Sequence, residues 1–452
     1  MHSDLIIIGG GPGGYETAVE ASRRGLSVTL FEGGKLGGTC LNVGCIPTKC
    51  LCRNAEVVAA FKDSEQFGID DFQFSVDFGK IMDRKNEVVG TLRQGVEGLL
   101  RSAKVNVVNA FASFKDASTI VADGEEYTAD NIIIATGSES KSLPIPGHDL
   151  DCVMDSTKIL DIDHIPESLT IIGGGVIGME FASIFNNLGS KVTVIEFMKQ
   201  ILPPFDADIA KRLKQSLSKK GIEIVTSAAA KSIEQTADCR IKVSYEAKGK
   251  EAEVESTDLL MAVGRAPRVA GLGLENAGVE FSPRGIKVDD MMRTNVPHIY
   301  AIGDVNARMM LAHVASFQGE RALNSITGKT DRIDFSIVPS AVFTVPECGM
   351  AGLTEAACKE RGMDIRTGQS FFRANGKALA MGEPEGLCKL IFDASDSMRL
   401  VGAHIMGVEA ADLAQQCADF MARKSTLEDI RDTIFGHPTV SEVILSAAKA
   451  VK

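Results

Sequence analysis

The chain is punctuated by short apolar runs that break abruptly into glycine turns. Asp4-Leu5-Ile6-Ile7-Ile8 leads into Gly9-Gly10-Gly11-Pro12-Gly13-Gly14, and Leu169-Thr170-Ile171-Ile172 leads into Gly173-Gly174-Gly175-Val176-Ile177-Gly178. A run that is apolar without alternation suits a strand buried on both faces, as in parallel sheets. Each turn is followed by a helical pattern and a second strand, at residues 27–31 and 191–195, that ends at an acid, Glu32 or Glu196. The first glycines (9 and 173) and the acids (32 and 196) are both 164 residues apart. Two β-α-β units in one internal register predict two dinucleotide-binding domains.

The remaining pattern fills in around them. Residues 44–61 predict a helix and 76–103 a long amphipathic one. Short strands are expected around 105–121, and a buried strand at 132–135 ends in Thr136-Gly137. The Pro/Gly-rich piece 143–147 reads as a linker into the second unit, which runs to Gly264 and carries a meander near 231–256. Residues 299–304 form another strand ending in a glycine turn and return to the first domain. From about 335, strands near 340, 366–372, 387–393 and 399–406 alternate with helices at 354–361, 410–423 and 439–450, which is α+β grammar. The expected fold is α/β: residues 1–142 and 265–334 form one Rossmann-like domain, 143–264 a second, and 335–452 a C-terminal α+β domain.

Composition removes some functions. A net charge of −12 and a pI near 5.2 argue against nucleic acid or an anionic membrane as partner. No stretch approaches 18 uncharged apolar residues, and residues 1–4 lack the basic-then-apolar pattern of a signal peptide, so the expected location is cytoplasmic. In that reducing compartment ten cysteines are mostly buried thiols, and a close pair is more often catalytic than structural.

Gly9, Gly11 and Gly14 form a G-x-G-x-x-G turn between strand and helix. The first glycine permits the tight turn, the second lets a pyrophosphate approach, and the third lets helix and strand pack closely. Glu32 can accept hydrogen bonds from a ribose diol. Gly173, Gly175, Gly178 and Glu196 repeat the set. A carboxylate at 196, with one lysine and no arginine in residues 197–203, favours NAD over NADP.

Cys40 and Cys45 stand five apart in Gly37-Gly38-Thr39-Cys40-Leu41-Asn42-Val43-Gly44-Cys45-Ile46-Pro47-Thr48-Lys49, at the mouth of a helix. Such a pair can close a small disulfide that is made and broken in turnover, and a helix N-terminus would lower a thiol's pKa. The alternatives are two buried thiols or half of a metal site. Zinc usually wants two to four residues between ligand cysteines and a second pair, so no metal site is expected. Near the C-terminus, His437 and Glu442 flank Pro438. A histidine there can take a proton from a dithiol, and a carboxylate on its far nitrogen fixes the tautomer.

The cysteine segment resembles the redox-active signature of the flavin-dependent pyridine-nucleotide disulfide oxidoreductases. Further motifs of that family stand in order: Ala135-Thr136-Gly137, the second glycine fingerprint, Ala262-Val263-Gly264-Arg265, Gly303-Asp304, Met310-Leu311-Ala312-His313 and His437-Pro438-Thr439-Val440-Ser441-Glu442. The wording is most similar to the dihydrolipoamide dehydrogenase branch, through the cysteine segment and Ala380-Met381-Gly382-Glu383-Pro384-Glu385-Gly386. The resemblance implies FAD on the first Rossmann-like domain and NAD on the second. It implies that Cys40 exchanges sulfur with substrate, that Cys45 faces the flavin, and that Lys49 approaches flavin N5 with Glu180 as its ion partner. Gly38, Thr39, Thr136, Gly137, Asp304, Leu311, Ala312 and His313 would complete the FAD site, and Gly264 the NAD site.

The family histidine serves the flavin site of the opposite subunit, which implies a homodimer built on residues from about 335 onward. The implied partners are lipoyl domains of a 2-oxoacid dehydrogenase or glycine cleavage complex. The alternatives are an NAD(P)H-dependent reductase of another small disulfide and a non-catalytic redox-sensing subunit. Phe435 departs from the branch, which often has a second histidine there. Cys50 and Cys52 depart as well, and are expected to be buried helix thiols.

Overall fold

The first glycine turn sits at the tip of a parallel sheet whose central strand, His2–Ile8, keeps Leu5, Ile6 and Ile7 wholly buried. A computed structural model describes residues 1–70 and 73–452. The chain divides into two compact units. One comprises Met1–Cys50, Lys80–Lys141 and Gly264–Ile333; the other comprises Leu51–Gly79, Ser142–Val263 and Asp334–Lys452.

In the first unit the sheet runs Asn106–Val108, Val28–Phe31, His2–Ile8, Glu125–Ile134, all parallel. The returning strand Ile299–Ala301 pairs with residues 132–134. The fourth strand, expected only at 132–135, begins well before its buried end, at Glu125. Its first half pairs antiparallel with Thr119–Ala122 across an Asp123-Gly124 turn, both residues at positive φ. Asp-Gly is a strong two-residue hairpin signal. The amphipathic helix spans Phe78–Ser102. Where the chain leaves this unit, Ser138–Ser140 pairs antiparallel with Arg265–Pro267, where it comes back.

The second unit contains the repeated Rossmann-like sheet, in the order Glu223–Thr226, Lys191–Glu196, Ser168–Ile172, Asp258–Met261, Val153–Met154. The meander is three antiparallel strands, Ala228–Gln235, Ile241–Ala247 and Lys250–Ser256. Residues 143–147 are no loose linker. Leu143 and Ile145 pack on this core, and a Cβ on Gly147 would lie 1.9 Å from the Ile233 carbonyl oxygen. The C-terminal part is a five-stranded antiparallel sheet, Ser340–Val342, Cys348–Gly352, Arg399–Met406, Leu387–Asp393, Ile365–Phe371. Cys348–Gly352 carries no clear strand pattern because it holds two glycines. Gly349 is needed for packing, since a Cβ there would meet the Ala410 carbonyl oxygen at 2.1 Å. The final helix starts at Glu442, three residues later than the pattern predicts.

A buried lysine ties the nucleotide sheet to this C-terminal part. Lys389 is 2% exposed and donates to Asp206 at 2.8 Å, and to Asp208 and Glu355 at 2.7 Å each. Burial pulls its pKa down, but the carboxylates pull harder and keep it charged. Asp206 also caps the helix Ala207–Lys219 and accepts from the Glu355 N–H. Among the described residues no helix is long and apolar enough to cross a membrane.

Candidate active site

The two glycine turns are built alike. Gly9 and Gly173 adopt φ of 111° and 114°. Their N–H groups donate to the Phe31 and Ile195 carbonyls at 2.8 and 2.9 Å. A Cβ on Gly14 would lie 1.8 Å from the Gly9 carbonyl oxygen, and one on Gly178 would lie 1.9 Å from that of Gly173. Only glycine lets these helices approach their strands. The acids close each turn: Glu32 accepts from Gly10 and Gly34 N–H at 2.7 Å each, and Glu196 accepts from Gly174 and Met198 N–H at 2.5 Å each. Each carboxylate thus stands at the mouth of its turn with spare lone pairs for a ribose diol.

Gly37 donates to the Gly10 carbonyl at 2.8 Å and brings the cysteine segment onto the first turn. A Cβ on Gly38 would fall 2.6 Å from the Gly11 Cα, so two bare stretches of backbone face each other. Around Gly11 itself the nearest other atom to a Cβ is 3.9 Å away, and around Gly175 nothing lies within 4 Å among the described residues. No side chain caps either following helix, so first-turn N–H groups are available to phosphate. These surfaces fit a dinucleotide at each turn.

Thr39 and Cys40 lie in the short helix Gly38–Val43, and Cys45 opens the helix Cys45–Lys62. Pro47 is tolerated because it falls in that helix's first turn. Cys40 is half-buried, Cys45 is exposed, and their thiols are hydrogen-bonded. A lowered pKa is not what Cys40 has in this dithiol form. The hydrogen bond with Cys45 and burial push it well up, while the Lys49 ammonium pulls it down by less. Two thiols that share a proton resist giving up the second. Cys50 and Cys52 are buried, as expected.

Thr136 donates its hydroxyl to the Arg268 carbonyl at 2.8 Å, and Gly137 follows at φ 72°. Asp304 lies in the 3-10 turn Gly303–Asn306 and accepts from the Ser138 hydroxyl at 2.5 Å. Arg265 in turn donates to the Ser138 hydroxyl and carbonyl at 2.7 Å each. Ser138 carries no sequence signal beyond following Thr136-Gly137. Leu311 is the N-cap residue of the helix Ala312–Ile326, so Leu311, Ala312 and His313 share one helix N-terminus. Gly264 adopts φ 104°, and a Cβ there would meet nothing within 4 Å among the described residues.

In the second unit, Glu180 is 3% exposed on the helix Val176–Leu188, and its carboxylate accepts from Phe343 N–H at 3.0 Å. His437 and Glu442 meet: Nδ1 lies 3.1 Å from the carboxylate, whose other oxygen accepts from Thr439 N–H at 3.0 Å. These bonds, the Thr439 one first, hold Glu442 below the usual glutamate range, so it stays ionised beside the ring. The imidazole is 78% exposed.

Residues 3–319 match the pyridine nucleotide-disulphide oxidoreductase model, and residues 338–448 match that family's dimerisation domain. The chain belongs to the pyridine nucleotide-disulphide oxidoreductase family. Its members use FAD and NAD, and the matched dimerisation domain makes this oxidoreductase a homodimer. The dihydrolipoyl dehydrogenase of Geobacillus stearothermophilus is 40% identical over 454 residues, covering 99% of this chain and 96% of that protein. One from Bacillus subtilis is 40% identical over 449 residues, covering 98% and 97%. The HOCl-induced flavoprotein disulfide reductase RclA of Escherichia coli superposes with a TM-score of 0.88 at 32% identity, covering 99% of this chain and all of that one.

Proposed function

We propose that this oxidoreductase is an NAD-dependent dihydrolipoyl dehydrogenase that oxidises protein-bound dihydrolipoyl groups in the cytoplasm. The observation that carries the reading is the hydrogen-bonded Cys40–Cys45 thiol pair beside the first glycine turn, with Lys49 acting on it. Full-length identity to dihydrolipoyl dehydrogenases supports the substrate.

Residues 1–142 and 265–334 hold FAD, residues 143–264 hold NAD, and residues 335–452 dimerise. Glu32 takes the FAD ribose and Glu196 that of NAD, where a carboxylate repels a 2′-phosphate. Gly9, Gly11, Gly14, Gly38 and Thr39 cradle the FAD phosphates. Thr136, Gly137, Asp304, Leu311, Ala312 and His313 complete that site, as Gly173, Gly175, Gly178 and Gly264 do for NAD. Lys49 would set a cation beside the flavin, and the family resemblance implies Glu180 as its ion partner.

His437 of the partner subunit, with its tautomer fixed by Glu442, takes the proton of a substrate thiol. The thiolate attacks Cys40 Sγ of the Cys40–Cys45 disulfide, forming a mixed disulfide and releasing Cys45 as thiolate. The second substrate thiol gives its proton to the displaced Cys40 sulfur as it attacks the substrate sulfur in the mixed disulfide and closes the lipoyl ring, so the substrate loses two electrons and the cysteine pair gains them. FAD supplies the two-electron carrier between that pair and NAD.

The test is steady-state oxidation of dihydrolipoamide and other dithiols with NAD and NADP. Dihydrolipoamide with NAD is expected to dominate. Substituting His437→Gln should slow dithiol oxidation by roughly 10²–10⁴-fold and leave NADH oxidation by an artificial acceptor intact. Faster turnover as a reductase of another disulfide would favour the reading that the likeness to the E. coli reductase supports.

A further inference from the structure

Each ribose-facing acid has an exposed phenylalanine beside it, and the two rings come from different places in the chain. Beside Glu196 it is the next residue, Phe197, 73% exposed. The matching position after Glu32 is Gly33, and there the ring belongs to Phe111, 83% exposed. A Cβ on Gly33 would fall 2.5, 2.6 and 2.7 Å from three atoms of the Phe111 ring, so the ring lies over the bare glycine and a side chain there would displace it.

Phe111 reaches Gly33 because the strand Asn106–Val108 pairs with Val28–Phe31. Glu32 and Ala110 N–H both donate to the Val108 carbonyl at 3.0 Å, which turns the chain over the glycine. The corresponding turn in the second copy follows the strand Glu223–Thr226. It is Ser227 alone, leading straight into the strand Ala228–Gln235; Ser227 to Ala230 offer no ring, and Ser227 N–H donates to the Met198 carbonyl at 2.8 Å. The ring is thus supplied once by the strand turn and once by the residue after the acid.

Large apolar faces left in water at a polar mouth mark binding surfaces. In a dinucleotide, adenine is one glycosidic bond from the ribose whose hydroxyls the acid accepts. The base therefore comes to whatever stands beside that carboxylate, and a phenyl face suits it because every purine presents a π surface. We propose that Phe111 and Phe197 are adenine-stacking residues, Phe111 for FAD and Phe197 for NAD. The proposal rests on the reading that the first glycine turn holds FAD and the second holds NAD.

The experiment measures binding to the holoenzyme, separately from dithiol turnover. NADH and NMNH, which lacks the adenylate, are titrated against wild type, F197A and F197W, and FAD release on dilution is followed by fluorescence for wild type, F111A and F111W. F197A should weaken NADH by roughly 5- to 100-fold, leave NMNH unchanged and leave FAD release unchanged. F111A should speed FAD release by a similar factor and leave NADH affinity unchanged, and tryptophan should restore each. Both side chains are exposed, so F197A without NADH should melt with wild type, while F111A should melt lower only by the FAD affinity it loses and should regain the wild-type value when FAD is added in excess. Equal weakening of NADH and NMNH, or unchanged binding in both alanine variants, overturns the proposal. Wild type that binds neither FAD nor NADH overturns instead the two-site reading beneath it.

Discussion

Glu347 shows how burial and like charge combine at one residue. Its carboxylate accepts a long bond, 3.4 Å, from Ala411 N–H. Burial first, then Glu56, Asp412 and Glu409, push its pKa up from 4.5 to about 7, against the Ala411 bond. The folded chain holds this proton more tightly than the unfolded chain does. The contribution of Glu347 to stability is therefore greatest below about 4.5, falls as pH rises to about 7, and levels off above that. Allowing for solvent screening, the loss is roughly 2 kcal/mol. Urea unfolding at pH 5 and pH 8 should show Glu347→Gln less pH-sensitive than wild type by about that amount; equal sensitivity refutes the account. Glu442 is the opposite case. Its folded pKa is depressed, so its contribution is present above the ordinary glutamate value and is lost as pH falls through the folded one.

At the scale of elements, the second strand–turn–helix separates packing glycines from binding ones. A Cβ on Gly178 would sit 1.9 Å from the Gly173 carbonyl oxygen and 3.3 Å from Ile171 Cγ2, both in the interior of the element. Around Gly175, at φ −74°, nothing in the protein lies within 4 Å among the described residues. Gly178→Ala should cost about 3 kcal/mol or prevent folding, because helix and strand must part. Gly175→Ala should melt within about 2 °C of wild type yet weaken NADH roughly tenfold or more, because its methyl meets the pyrophosphate and not the protein. Calorimetry together with an NADH titration of both variants checks this. A Gly175→Ala variant that binds NADH normally would remove the second turn from the NAD site.

For the whole molecule the question is which subunit supplies the base. The His437 imidazole is 78% exposed and held by Glu442 on its inner nitrogen, leaving Nε2 for a partner surface. If two subunits build each site, mixing C45S and H437Q chains should restore dithiol activity. Half of randomly mixed dimers are hybrids with one intact site of two, so about a quarter of wild-type activity should return. Recovery no better than either variant alone would place base and cysteines in one subunit.

What the chain determines by itself is whatever depends on neighbours close in sequence. Gly9 through Gly14 make a turn because their backbone must adopt it, Cys40 and Cys45 meet because one short helix separates them, and His437 reaches Glu442 across one proline turn. The fold class is legible for the same reason, since the apolar runs and glycine breaks repeat at one spacing. The rest is decided by contacts between residues far apart, which leave no local trace. Ser138 joins Asp304 to Arg265, Phe343 N–H supplies a partner of buried Glu180, and Lys389 gathers three carboxylates from two other segments. Phe111 likewise finds Gly33 only once strands order the sheet. A buried charge or an exposed ring has its meaning set by what folding brings beside it, and only the tertiary structure fixes that neighbour.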